Sequence, residues 1–134
     1  MKIVVDTNIL FSFFWENSLT KKLLINSNIE LISPEIALKE LIKYSQQIIE
    51  KTKINKNSFE EKINELKTII KFIKEKEYSS VIKEAEEISP DKGDSHFFAL
   101  CIKFNCILWS NDLILQNQKR IKVLTTKDIL NLFD

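Results

Sequence analysis

The stretch "IVVDTN" (residues 3–8) decides the fold. Ile3, Val4 and Val5 are β-branched and apolar in succession. Such a run suits a strand buried on both faces in the middle of a parallel sheet better than one half exposed in a hairpin. It stops at Asp6, followed by Thr7 and Asn8. A second copy of the pattern stands near the other end of the chain in "CILWSND" (106–112), an apolar strand followed by Ser110, Asn111 and Asp112. Two buried strands that each deliver a carboxylate at the carboxyl end raise the question of whether the two acids meet.

Between and beyond these strands the apolar periodicity alternates between sheet and helix. Residues 2–5 read as a strand, "SLTKKLLINS" (18–27) as a helix on Leu19, Leu23 and Leu24, and "IELIS" (29–33) as a second strand. "SPEIALKELIKYSQQII" (33–49) opens a helix, with Ser33 available as cap and Pro34 at the first helical position. Residues 57–88, rich in Lys, Glu, Ile and Leu, read as a helical hairpin or two packed helices, with a bend at Ser79-Ser80 and a solvated charged face. "SPDKG" (89–93) is a turn and "DSHFFALCIKF" (94–104) an apolar helix. Then come a strand at 106–110, a short helix in "DLILQNQ", a last strand at 121–125 and a last helix in "TKDILNLF". The order β-α-β-α-α-α-α-β-α-β-α predicts a three-layer α/β/α sandwich with a mainly parallel central sheet, residues 1–134 forming one domain.

Composition removes several classes of function. The chain has 134 residues and a net charge of +1, with 19 lysines and one arginine, Arg120, so no global field marks a partner. It contains a single glycine, Gly93, which excludes a P-loop, a G-x-G-x-x-G turn and a G-x-S-x-G elbow. Cys101 and Cys106 match no zinc or redox spacing and read as buried thiols suited to a reducing cytoplasm. The apolar stretch "ILFSFFW" (9–15) is too short to span a membrane, and an acid interrupts any would-be signal peptide.

The acids are what remain. In open α/β sheets ligands bind outside the carboxyl ends of the strands. Asp6 and Asp112 belong at that edge; Asp91 and Asp94 stand at the start of the 94–104 helix, and Glu40 lies early in the helix after the second strand. Each has a plain structural alternative. Asp6 can end a strand and start a turn, Asp91 and Asp112 can cap the helices that follow them, Asp94 can favour a helix dipole, and Glu40 can be a solvated helical glutamate. Together they form a cluster with a cost: two carboxylates about 4 Å apart repel by roughly 4 kcal/mol at an effective dielectric near 20. Protonation or a cation must offset it. With one histidine and no paired cysteines, an all-oxygen Mg²⁺ or Mn²⁺ site is the natural choice, and phosphodiester hydrolysis its natural task. Thr7, Asn8, Ser110 and Asn111 are candidates to orient these carboxylates by hydrogen bonding. Lys39, Lys43 and Lys92 read as surface lysines, His96 as structural or peripheral, and Phe11, Phe13, Phe14 and Trp15 as core.

Taken in order, "VVDTN", the acid of "SPEIALKEL", "DKGDSHFFALCIKF" and "LWSND" resemble the PIN-domain nucleases over nearly the whole chain, from residue 3 to about 126. The D-x-x-D before an apolar helix and the W-S-N-D are similar to an archaeal and bacterial subgroup. The resemblance implies the α/β/α fold and Mg²⁺- or Mn²⁺-dependent cleavage of single-stranded RNA. By position it carries the family's acidic quartet onto Asp6, Glu40, Asp94 and Asp112, the subgroup's additional acid onto Asp91 and the D-T-N polar residue onto Asn8. Metal binding falls to Asp6, Asp91, Asp94 and Asp112. The resemblance further implies a VapC-type toxin, a small antitoxin partner and a homodimer. Two other readings stand beside it: an RNA-maturation or DNA-directed nuclease with the same site, and a catalytically silent module that binds RNA or protein.

Overall fold

The computed structural model describes residues 1–15, 18–25 and 28–132. The Ile-Val-Val run lies in β1 (Lys2–Val5), where Ile3, Val4 and Val5 are wholly buried. β1 is the middle strand of a five-stranded sheet with order β3-β2-β1-β4-β5. All four pairings are parallel: β2 (Glu30–Pro34) flanks β1 on one side and carries β3 (Ile70–Ile73), and β4 (Ile107–Trp109) flanks it on the other and carries β5 (Val123–Leu124). The chain builds outward from β1 through β2 to β3, then crosses back to β4 and β5. Right-handed crossovers therefore put the helices before β3 on one face and those after it on the other, the expected three layers.

The helices are α1 (Thr7–Phe11), α2 (Leu19–Leu24), α3 (Glu35–Lys43), α4 (Ser45–Thr52), α5 (Lys56–Ile69), α6 (Ile82–Ile88), α7 (Ser95–Phe104) and α8 (Thr126–Leu132). The apolar α7 packs on β1, β2 and β4, burying Phe97, Phe98, Ala99, Leu100 and Cys101. Phe13 and Phe14 are fully buried, and Phe14 stacks on Phe59 of α5 with centroids 5.0 Å apart. Trp15, expected in the core with them, is 44% exposed. Asn105 adopts the left-handed conformation, φ 52°, that ends a helix, and so turns α7 into β4. Thr125 and Asp128 exchange side-chain and backbone hydrogen bonds of 3.0 and 3.2 Å across the start of α8, a reciprocal cap.

Four local expectations are corrected. First, the 57–88 segment is not a helical hairpin: α5 gives way to β3, and two 3-10 turns, Glu75–Glu77 and Ser79–Val81, precede α6. Leu66, Ile70 and Ile73 keep helical spacing, so periodicity hid the strand; the β-branched and aromatic run Thr68 to Ile73 was the signal for it. Second, residues 33–49 are not one helix, because the chain bends at Tyr44 (φ −98°, ψ 22°) between α3 and α4. Third, Ser33 is no cap: its hydroxyl donates to the carbonyl of Val5 at 2.8 Å, tying β2 to β1, and Pro34 occupies the cap position. Fourth, "ILF" belongs to α1, and "LILQ" forms a 3-10 turn, Leu113–Gln116, where a short helix was expected. Cys101 is buried, but Cys106 is only half-buried. The ends of the helices expected at 18–27 and 126–133 lie outside the described residues.

If β3 packs as a strand, Ile70→Ala and Ile73→Ala should each destabilise the protein by roughly 2–4 kcal/mol. Lys71→Ala, at an exposed position of the same edge strand, should change stability by less than about 0.5 kcal/mol. Urea denaturation of the three variants checks this.

Candidate active site

The sheet order reverses between β1 and β4, the place where an open parallel sheet leaves a crevice beyond its carboxyl ends. Asp6 leaves β1 at that point, its N–H donating to the Trp109 carbonyl at 3.2 Å. Its carboxylate is the cap of α1 and accepts the Ile9 N–H at 2.9 Å. The plain capping role and a place in the crevice are thus not alternatives: one carboxylate does the first while standing in the second. Asp6 is 4% exposed. Burial pushes its pKa up and the negative charge of Asp112 adds to this; the Ser110 hydroxyl and the N–H groups of Ile9 and Asn8 act against them.

Ser110 links the two strand tips. It is fully buried, its hydroxyl hydrogen-bonds Asp6, and its oxygen accepts the Asp112 N–H at 3.1 Å. Asp112 in turn caps the 113–116 turn by accepting the Ile114 N–H at 3.1 Å. Asp91 caps the 3-10 turn Lys92–Asp94 through the Gly93 N–H at 2.9 Å, and that turn sets Asp94 at the head of α7. Gly93 is there for space, since a Cβ would stand 3.3 Å from Oδ1 of Asp91. Asp94 caps nothing. Partial burial pushes its pKa up to about 6, helped by the charges of Asp91, Asp6, Asp112 and Glu40, in that order. The other four acids singled out in the sequence therefore all act on Asp94.

Asp6, Glu40 and Asp94 line an open cleft of about 400 Å³ together with Thr7, Asn8 and Gly93. Asp91 and Asp112 do not line it; they reach it by charge. The lining is completed by Tyr44, at the bend between α3 and α4, and by Gln47, Ile48 and Lys51 of α4 beside Phe11. None of these was singled out from the sequence. Their spacing of three, four and seven residues is one helical stripe, but the stripe mixes aromatic, polar, apolar and basic residues and so has no hydrophobic signature. Asn111 is placed differently from expectation: its amide holds Thr126 at the start of α8, with bonds of 3.0 and 2.7 Å, and not a carboxylate. Lys39 pairs with Glu35 at 3.6 Å, Lys43 lies over the Tyr44 ring, and Lys92 is exposed. His96 bonds the Tyr78 hydroxyl at 2.7 Å, a structural tie.

Among the described residues no three His, Cys, Asp or Glu side chains are gathered closely enough to hold a metal ion as they stand. The donor set nevertheless fits a hard divalent cation. Mg²⁺ takes one or two carboxylates and keeps waters on its other positions, so it needs no closed protein cage. The buried hydroxyl oxygen of Thr7, at the cleft, has no hydrogen-bond partner among the described residues. A polar atom in that state suits a site completed by water or a ligand.

The fold and the acid edge define a doubly wound α/β protein with a carboxylate-lined crevice at its switch point. The family model of the PIN domain matches residues 4–130, and the chain belongs to the PIN-domain family. Among solved structures it is similar to a chain in the crystal structure of VapBC2 from Rickettsia felis bound to a DNA fragment from their promoter. The TM-score is 0.64 at 18% identity, covering 93% of this chain and 98% of that one. No curated protein matches. No helix among the described residues is long and apolar enough to cross a membrane.

Because the Asp94 carboxyl titrates near 6 in the folded chain and near 3.8 when unfolded, the folded state binds more protons between those values. The metal-free protein should therefore lose stability as pH rises from 4 through 6. Asp94→Asn should raise the melting temperature at pH 7.5 in EDTA, and the gain should vanish by pH 4. Asp94 is only half-buried, so after discounting for solvent the effect is about 1 kcal/mol, or about 3–5 °C. Thermal melts of both proteins across this pH range check it.

Proposed function

We propose that the chain is a metal-dependent endoribonuclease that cleaves single-stranded RNA, and that it is the toxin of a toxin–antitoxin pair held in check by a small protein partner. The observation that carries the chemistry is Asp94, pushed up to about 6 by partial burial and then by the charges of four other acids, the buried Asp6 among them. A fold that retains such mutual repulsion at a ligand crevice has a use for it. Family membership supports a nuclease, and the likeness to a chain of VapBC2 supports the toxin reading. We read residues 1–134 as one such domain, acting as a homodimer in the cytoplasm.

In this reading Asp6, Asp91, Asp94 and Asp112 hold Mg²⁺ or Mn²⁺, Asp6 and Asp94 directly in the cleft and Asp91 and Asp112 from its rim. When bound, the cation supplies charge neutralisation, polarisation of a phosphoryl oxygen and acidification of a water. The chain's own groups do the rest. Ser110 acts against the burial that raises the Asp6 pKa and, by accepting the Asp112 N–H, ties the two strand tips together. Glu40, from the third segment facing the cleft, accepts a proton from the attacking water and orients it. Thr7 Oγ1 and Asn8 orient water or substrate at the β1 tip.

Purified protein should cleave a fluorogenic single-stranded RNA in Mg²⁺ or Mn²⁺ and stop in EDTA. Asp6→Asn or Asp94→Asn should lower turnover by on the order of a hundredfold or more while the circular dichroism spectrum is kept. Undiminished cleavage by either variant would sink the assignment. RNA binding without metal-dependent turnover would favour a silent binding module, and preference for a DNA strand a DNA-directed enzyme.

A further inference from the structure

We infer that the α4 wall of the cleft is the strand-binding half of the site: the Lys51 ammonium receives an RNA phosphate and the Tyr44 ring stacks the neighbouring base. This rests on the ribonuclease reading above and names the groups that position its substrate. The acids Asp6, Glu40 and Asp94 share the cleft lining with Tyr44, at the bend before α4, and with Gln47 and Lys51 of α4. Tyr44 and Lys51 are separated by seven residues, about 10 Å along a helix axis.

Its place sets Lys51 apart from the other lysines: among the described residues it is the one cation that lines the cleft. Among the described residues the cations found in ion pairs are Lys2, Lys39, His96 and Arg120, and Lys51 is in none of them. Its ammonium lies 5.9 Å from the centre of the Phe11 ring, a cation–π contact that holds it at the cleft. No ion pair joins it to Asp6, Glu40 or Asp94 among the described residues. A cation placed at an acidic cleft without neutralising the acids is available to an anion that enters from outside. Tyr44 is 46% exposed although it lines the cleft, and its ring meets Lys43 at 5.4 Å. An exposed aromatic at the mouth of a phosphate-binding cleft is the usual platform for an unpaired base, tolerant of base identity because every base has a π-face. A duplex would keep its bases stacked inside and leave Tyr44 without a partner, so the wall suits a single strand.

The test is steady-state cleavage of a fluorogenic single-stranded RNA in Mg²⁺ at 50–200 mM KCl, on the order of the range where phosphate contacts are read. It is paired with fluorescence anisotropy on a cleavage-resistant phosphorothioate RNA. Lys51→Ala should raise KM and Kd about fivefold or more and leave kcat within about twofold. The slope of log affinity against log salt should flatten by about 0.7, the loss of one single-strand phosphate contact, and Lys51→Arg should restore it. Tyr44→Ala should weaken binding by about fivefold or more without changing the salt slope, and Tyr44→Phe should restore it. Unchanged affinity and salt slope in Lys51→Ala would overturn the inference, as would a fall in kcat at constant KM or no RNA binding by the wild type. If the wild type binds but does not cleave, the nuclease reading fails alone, and the Lys51 and Tyr44 binding arms still decide this one.

Discussion

The structure depends on burying Asp6. A carboxylate 4% exposed at the end of a wholly apolar strand is unfavourable when ionised, and three devices reduce that cost. It accepts the N–H groups of Ile9 and Asn8 at the start of α1, and it takes a hydrogen bond from Ser110 across the switch point. These bonds do more than solvate a charge. They fix the direction in which the chain leaves β1, and they join β1 to the strand whose own tip carries Asp112. An asparagine could accept the same N–H bonds. It would not carry the charge that, with Asp91, Asp112 and Glu40, pushes the Asp94 carboxyl up. The hydrogen bonding explains a polar residue at position 6, and only the electrostatics gives a reason for an acid.

The sheet order makes this gathering economical. β1 and β4 are adjacent though about a hundred residues lie between them, so Asp6 and Asp112 become neighbours through a single crossover. The same crossover brings in α7, which packs under β1, β2 and β4 and is headed by Asp94. The Ser33 hydroxyl on the Val5 carbonyl ties β2 to the residue before Asp6, and α3 with Glu40 follows directly from β2. Two of these segments, β4 through the Trp109 carbonyl and β2 through Ser33, are anchored to the backbone at or beside position 6. The tie is mechanical as well as electrostatic, because a shift of β1 would move Asp6, Asp112 and the α3 start together.

What was legible in the sequence follows from how local the signals are. The central strand, the apolar helix at 95–104 and all five acids could be read because each sits on an unbroken run or directly beside one. The strand at 70–73 could not: Leu66, Ile70 and Ile73 satisfy a helix as well as they satisfy an edge strand, and only the sheet next to them breaks the tie. Ser33 was misread as a cap because a serine before a proline and a helix is a capping signal, whereas its true partner, Val5, lies 28 residues away. Asn111 was misassigned for the same reason, its partner Thr126 being 15 residues away. The bend at Tyr44 has no glycine or proline to announce it. The α4 wall of the cleft, which depends on that bend, was therefore invisible, while the acid wall was not.

The two walls pose a problem that net charge conceals. At +1 overall the chain neither attracts nor repels a polyanion at long range, so whatever happens to a nucleic-acid strand is decided inside the cleft. There, wherever the carboxylates are ionised they repel an incoming phosphate, by roughly 4 kcal/mol for like charges about 4 Å apart at an effective dielectric near 20. Under the proposed function the cation that enables hydrolysis is thus also what lets the strand approach, because it reverses the sign of the acid wall. A basic residue placed among the acids would also neutralise them, but it would fill the position where the cation is needed. Lys51 of α4, beside Phe11 and in no ion pair with Asp6 or Asp94 among the described residues, avoids that conflict under the inference above. The acids stay free to take a cation, and a phosphate meets a fixed positive charge on the far side. Separation of the two charges across the cleft, rather than their pairing, is what makes a site of this composition compatible with an anionic substrate.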